Sequence, residues 1–370
     1  MSREKDQHSE DAPERTPPTV YANGVFLIAM LVFGIVASLV NPRVGERHEG
    51  ADIITGEWAS RYQRGYAEGL VIQEPATHLW TLFQYRVFGE GQPGVLVGSD
   101  GWLFTEEEFV SYDDAAERIE QRLDFVAEVR ERLAERGIAL VIALVPAKAR
   151  IVSERLGRYR FPDYARSHHD EFRRRLAELD VAAPDLTDVL ESEGESSFLR
   201  TDTHWTPEGA FAAARALAGE ISRLLESASA DRRSFVRGAA ETVHHEGDLL
   251  SFLPLGPFMD RFGPEPDTVV RFETSPREER EAGLFEDVSI PITLVGTSYS
   301  AGELWDFAGA LRVTTRADVL NVSTEGEGPF APMRDYLDGE ALEDSPPAVV
   351  VWEIPERYLP APPQAPGSPR

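Results

Sequence analysis

The 370-residue chain contains no cysteine. That excludes a disulfide framework, a thiolate-held zinc and a cysteine nucleophile, and it leaves the redox compartment open. Lysine is nearly missing as well: Lys5 and Lys148 are the only two, and every other basic residue is arginine. Positive charge is short overall, with 37 Lys and Arg against 64 Asp and Glu and a formal net charge of −27. A nucleic-acid partner, which needs a clustered basic face, is therefore excluded, and tight docking of the soluble part on anionic headgroups is disfavoured. Acidity of this kind speaks to solubility, not to fold.

What is present begins with one long apolar run. Val20–Val40 reads VYANGVFLIAMLVFGIVASLV, with Asn23 its only strongly polar member, and has about the length that crosses a bilayer. A buried core helix of that length would carry a polar stripe, which is lacking. A cleaved signal peptide is the rival reading, with Ala37 as a poor cleavage site. We expect a retained single-pass anchor in the inner membrane, with the bulk of the chain in the periplasm or an equivalent extracytoplasmic space. The expected organisation is a tail over 1–19, the anchor over 20–40, a helical lead-in over 41–94, a catalytic domain over 95–360 and a Pro-rich tail over 361–370.

Within the long domain the pattern alternates. Val95–Phe104 reads as a hairpin about a Gly-Ser-Asp-Gly turn, and Asp114–Arg136 as an amphipathic helix stopped by Gly137. Ile138–Pro146 is a continuous apolar run of strand length, as in a strand buried on both faces. Tyr164–Leu179 (helix), Asp180–Leu186 (short strand), Pro207–Leu225 (helix capped by Thr206), Val288–Val295 (strand), Tyr299–Leu311 (helix), Ala317–Val322 and Ala348–Ile354 (strands) continue the series. Such alternation predicts a parallel sheet covered on both faces, an α/β three-layer sandwich of the flavodoxin-like kind. Residues 227–287 break the alternation and read as an insertion.

Two stretches carry chemistry. Gly296-Thr297-Ser298-Tyr299-Ser300 follows a strand and opens a helix, so Ser298 stands at the carboxyl edge of the sheet, where open α/β folds place their sites. A serine that merely caps the helix would look the same. Thr201-Asp202-Thr203-His204-Trp205 lies in the loop before the Pro207 helix. There His204 is suited to be the general base and Asp202 to hold its imidazole in the useful tautomer. The alternative is a capping Asp202 and a His204 packed on Trp205. His244, His245, Glu246 and Asp248 make a poor metal set, because adjacent histidines in a strand point to opposite faces. No metal and no cofactor is expected. His168 and His169 in a charged helix, and the run Glu106-Glu107-Glu108, read as solvated. Lys148 lies just past a strand end and Tyr358, with Arg357, follows the last strand, so both are candidates for the site's rim.

These motifs resemble those of the SGNH-hydrolase-like family of alginate O-acetylation proteins, AlgJ and AlgX. The likeness rests on DGWLF (Asp100–Phe104), VPAKARIV (Val145–Val152), TDTHWTPEGA (Thr201–Ala210), GDLLSFLPL (Gly247–Leu255), GTSYS (Gly296–Ser300) and WEIPERYL (Trp352–Leu359), in matching order over roughly 95–360. The resemblance implies Ser298 as nucleophile, His204 as base and Asp202 as its partner, in a permuted SGNH order with Asp and His ahead of Ser. It leaves Tyr299, Lys148 and Tyr358 as oxyanion or substrate-binding candidates. It further implies transfer of acetyl groups to polysaccharide hydroxyls, with a membrane-bound O-acyltransferase relaying the donor. The sequence ends soon after WEIPERYL, with no added carbohydrate-binding module, so the closer likeness is to AlgJ. An acetylesterase using the same three residues, and a non-catalytic polysaccharide-binding subunit, are the rival readings.

Overall fold

Seven apolar residues in succession have no polar face to offer water, so Ala139–Val145 can only be a strand covered on both sides; it becomes the edge of a parallel sheet. The computed structural model describes residues 73–278 and 290–363, with 28–29, 31–36, 55–56, 58 and 60 besides. It divides into two units, Met1–Trp80 and Thr81–Arg370. In the first, residues 28–29 and 31–36 are helical, and Ile28, Leu31, Val32, Phe33, Ile35 and Val36 are exposed. The rest of Val20–Val40 lies outside the described residues, among which no helix is long and apolar enough to cross a membrane.

In the second unit a short helical stretch, Gln84–Phe88, precedes the hairpin β1 (Val95–Val97) and β2 (Leu103–Thr105), paired antiparallel. Helix α1 (Ala115–Ala134), β3 (Ala139–Val145), α2 (Asp163–Glu178) and α3 (Pro207–Ser227) follow. The Thr206 hydroxyl accepts from the Gly209 N–H at 3.0 Å, capping α3 ahead of Pro207 at its first turn. Strands β4 (Phe235–His245) and β5 (Asp267–Pro276) form a separate antiparallel ribbon, inside the stretch that broke the alternation. Then come β6 (Ile292–Val295), α4 (Ser298–Ala301), α5 (Phe307–Thr315), β7 (Val319–Asn321), α6 (Phe330–Asp338) and β8 (Val349–Pro355).

The main sheet has the order β3-β8-β6-β7, all parallel. Alternate residues of its strands face opposite ways. Val141, Ala143, Ile292, Leu294, Val349 and Val351 pack with α3 and α5, while Ile142, Leu144, Val295, Val350, Trp352 and Ile354 pack with α1, α2 and α6. That makes three layers, with the carboxyl ends of all four strands along one edge.

Two expected elements differ. Asp180–Leu186 is no strand: Ala182 makes one parallel bridge to Val141, and its carbonyl accepts from the Ile142 N–H at 2.8 Å. Pro184, which has no N–H to donate, stops the ladder there. The helix expected over Tyr299–Leu311 breaks into α4 and α5, because Asp306 takes a left-handed conformation (φ 44°) and caps α5 by accepting from the Gly309 N–H at 3.0 Å.

Candidate active site

Strand β6, buried along its whole length, ends at Val295 and runs straight into Gly296-Thr297-Ser298. Thr297, not Ser298, is the cap of the following helix: its hydroxyl accepts from the Tyr299 N–H at 3.2 Å. This leaves the Ser298 hydroxyl for other work. Ser298 is the half-buried member of an otherwise buried turn, reachable from solvent. As the first residue of α4, its N–H has no carbonyl within the helix to bond.

The loop opposite is closed by backbone bonds from Leu199 N–H to His204 O and from Thr206 N–H to Ser197 O, each 3.0 Å. Three charged side chains clamp it, Lys148 and Asp267 buried and Asp248 exposed. Asp267 accepts from the N–H groups of Arg200 and Thr201, both at 2.8 Å, and from the Thr201 hydroxyl at 2.6 Å. Asp248 accepts from the Thr203 N–H at 2.9 Å and the Thr203 hydroxyl at 2.6 Å. The Lys148 ammonium donates to the carbonyls of Leu103 (2.6 Å), Asp202 (2.9 Å) and Arg200 (3.1 Å). Gly247 lies so close that a Cβ there would fall 2.1 Å from the Thr201 carbonyl oxygen, which explains a glycine directly before Asp248.

Held in this way, the loop presents Asp202 and His204 to the sheet edge. Asp202 Oδ1 lies 2.6 Å from His204 Nδ1 and also accepts from the His204 N–H at 2.9 Å. Its other oxygen, Oδ2, takes His245 Nε2 at 2.8 Å and the Asp248 N–H at 3.0 Å. Burial raises the Asp202 carboxyl, but the bonds from His204 and His245 outweigh it and hold the group well below the usual carboxylate range. His245 is raised in turn, chiefly by its hydrogen bond to Asp202. On the far side, His204 Nε2 lies 2.7 Å from Ser298 Oγ. With the Nδ1 proton assigned to Asp202 by this network, Nε2 offers a lone pair to the serine hydroxyl.

Aromatic rings fix the imidazole. Trp305 stacks on His204, with centroids 4.3 Å apart and planes 13° apart, and its Nε1–H donates to the Ser298 carbonyl at 3.1 Å. Tyr299 packs against the imidazole at 4.8 Å, and its hydroxyl donates to the Thr203 carbonyl. Trp205 donates from Nε1 to the Tyr299 carbonyl at 3.1 Å.

Several sequence-based expectations change here. Lys148 is not at the rim. It is 1% exposed, pushed down to about 8 by burial, and fastens the Asp202 loop from beneath. Tyr299 is buried support for His204 and Thr203, so its side chain is no oxyanion donor. Tyr358 is 5% exposed and packs into the apolar layer beside α1 and α6, with the Arg357 guanidinium 4.9 Å from its ring centroid. Glu108 is no part of a solvated face: it is buried, accepts from the N–H groups of Lys148 (3.0 Å) and Ala149 (2.9 Å), and burial pushes its carboxyl up to about 7. His169 is likewise buried, with Nδ1 3.0 Å from the Asp170 carboxylate. His244 and His245 do part to different partners, Thr268 and Asp202, yet His245 thereby joins the network. His245, Asp248, Asp267 and Trp305 are the site residues the sequence did not single out for these roles. The GDLL motif was the one available signal, for Asp248.

Asp202, His204 and Asp248 offer ligand atoms within 4.8 Å of one another. A carboxylate has about four lone-pair positions, however, and Asp202 already accepts four hydrogen bonds. These groups serve each other, and a cation would have to displace that network.

Residues 95–356 match the family model described as "SGNH hydrolase-like domain, acetyltransferase AlgX". The chain is 40% identical over 320 residues to the probable alginate O-acetylase AlgJ of Pseudomonas putida, covering 85% of this chain and 83% of that protein. It is 30% identical over 278 residues to the alginate biosynthesis protein AlgX of Pseudomonas syringae, covering 71% of this chain and 55% of that one. The solved O-acetyltransferase domain of Pseudomonas putida AlgJ superposes with a TM-score of 0.67 at 41% identity, covering 74% of this chain and 94% of that domain. A chain that carries this fold, and this degree of identity through most of its length, belongs to the AlgX family of SGNH hydrolase-like domains and stands nearer to its AlgJ members than to AlgX itself.

Proposed function

We propose that this chain is an extracytoplasmic O-acetyltransferase that passes an acetyl group through Ser298 to the hydroxyls of alginate or a closely similar polysaccharide. The observation that carries this reading is the linear relay from Ser298 Oγ to His204 Nε2 (2.7 Å) and from His204 Nδ1 to Asp202 (2.6 Å). The names of the AlgJ relatives supply the group and the polymer.

The chemistry follows from the residue types. Ser298 Oγ attacks the acetyl carbonyl carbon of the donor while His204 Nε2 takes its proton. The Ser298 N–H faces the oxyanion that develops. Collapse expels the donor's oxygen, which leaves with the proton from His204, and Ser298 is acetylated. A sugar hydroxyl then gives its proton to His204 and attacks the ester, and the departing Ser298 oxygen recovers that proton. Asp202 keeps the Nδ1 proton throughout and stabilises the imidazolium, so it never needs to be protonated itself.

A groove of about 570 Å³ opens beside Asp248 and is lined by Glu246, Asp260 and Glu265, with no cation among its residues. It would repel a polyuronate, so the acceptor is expected to reach Ser298 from another side. The donor arrives from across the membrane through a membrane-bound O-acyltransferase, and Val20–Val40 keeps this chain beside it.

One preparation tests the reading. The full chain, extracted from membranes with detergent, is given p-nitrophenyl acetate and an oligosaccharide of mannuronate. Acetylated sugar should exceed the extra free acetate; acetate alone would make the protein an esterase. The same membranes, before detergent is added, test the anchor, since the chain should stay in the pellet after alkaline washing with its N-terminus intact. A soluble chain beginning near Ser38 would contradict that part.

A further inference from the structure

Beneath the Ser298 turn lies a carboxyl group that the steps above leave unused. Glu353 is on β8, in a strand otherwise made of Val, Trp, Ile and Pro, and has no exposed surface. Its Oε2 accepts from the Thr297 N–H at 2.7 Å, the Thr297 hydroxyl at 3.0 Å and the Ser300 hydroxyl at 3.1 Å. Oε1 lies 3.2 Å from the same Thr297 hydroxyl. The fit leaves no room: a Cβ at Gly296 would stand 2.5 Å from Oε2 and 2.9 Å from the Glu353 Cβ. One side chain thus grips the turn both before and after Ser298. A neutral glutamine could make these bonds without the cost of burying an ionisable group.

We propose that Glu353 is a positioning residue for Ser298, and that its ionisation sets the alkaline limit of acyl transfer. The inference rests on Ser298 being the nucleophile. Neutral, Glu353 still accepts from the Thr297 N–H and holds the turn. Ionised, it adds a full negative charge next to the place where the oxyanion must form, and like charges at short range in a dry site oppose each other strongly. Burial pushes the carboxyl up to about 7, against the pull of its bonds from Thr297 and Ser300 and of the Arg357 guanidinium. The charged and titratable groups around it are Arg357, itself beside Glu107 and Glu108, and Tyr299, whose phenol burial keeps neutral. Thr297 and Ser300 do not titrate. Glu108, which burial also pushes up to about 7, holds the Lys148 and Ala149 N–H groups, whereas Glu353 is the group that changes charge near neutrality while gripping Thr297 and Ser300.

The test is kcat and KM for acetyl transfer from p-nitrophenyl acetate, followed across the neutral and mildly alkaline range. Wild-type kcat should fall as pH rises through about 7. Glu353→Gln should remove that fall, and Glu353→Ala should lower kcat about 100-fold at every pH with KM within about twofold, since misplacing a nucleophile acts on the chemical step. If the glutamine variant does not fold, Ser300→Ala serves in its place. It deletes a bond to the ionised form, so the fall should move to higher pH. A wild-type profile with no alkaline fall would overturn the proposal. So would a fall that neither Glu353→Gln nor Ser300→Ala moves, or a variant whose loss lies all in KM. Failure of the Ser298 reading looks different: Ser298→Ala would then match wild type whatever the Glu353 variants do.

Discussion

Ser298→Ala should abolish acetyl transfer, with a loss of about 10⁴-fold or more, because the acyl-enzyme cannot form without Oγ. The fold should barely notice. The serine hydroxyl makes one hydrogen bond, to His204, from a half-buried position, and the helix cap is supplied by Thr297. Losing such a bond costs about 1 kcal/mol, a shift of a few degrees in a thermal melt. The two readouts together separate a chemical role from a structural one. A variant that unfolds would say nothing about the nucleophile, whereas a folded and inactive one identifies it. If Ser298→Ala keeps wild-type polymer acetylation, the acyl-enzyme route is wrong and a polysaccharide-binding role takes its place.

His204→Ala should be nearly as damaging to transfer, again by about 10⁴-fold, since the serine loses its proton acceptor. Here stability should fall too. The imidazole is nearly buried, packed between Trp305 at 4.3 Å and Tyr299 at 4.8 Å, and its removal opens a cavity and leaves Asp202 Oδ1 short of a partner. A cost of about 2–4 kcal/mol follows, measurable by urea denaturation. The double variant Ser298→Ala/His204→Ala should transfer acetyl no more slowly than the worse single variant, because nucleophile and base act as one unit. A further drop of about 10³-fold in the double variant would mean that the two residues act independently.

The alternating apolar runs and the punctuation by Gly137, Thr206 and Pro207 made the layered sheet legible in the sequence. So did the position of GTSYS after a buried strand, which put Ser298 at the sheet's carboxyl edge. What stayed hidden is the polar interior. Glu108, Lys148, Asp267 and Glu353 look like surface residues in one dimension, since nothing local in a sequence announces that a charge is buried against backbone from distant segments. Glu108 meets Lys148 N–H across 40 positions, and Asp267 meets Thr201 across 66. That His244 and His245 point to opposite faces decides against a joint metal site but not against one histidine reaching Asp202. The break in the helix after Ser298 is not legible in the sequence because Asp306 must enter the left-handed region for it, and aspartate does so without any marker such as glycine.

The central claim is that an acetyl group resides on Ser298 between donor and acceptor. Rapid acid quenching of the full-length protein with p-nitrophenyl acetate alone, followed by peptide mass spectrometry, reads this directly. The expected result is one added acetyl group on the peptide that contains Ser298, lost when oligomannuronate is supplied, with acetylated sugar appearing in equal amount. An active protein whose Ser298 peptide never carries acetyl, or carries it unchanged while acceptor turns over, would contradict the account.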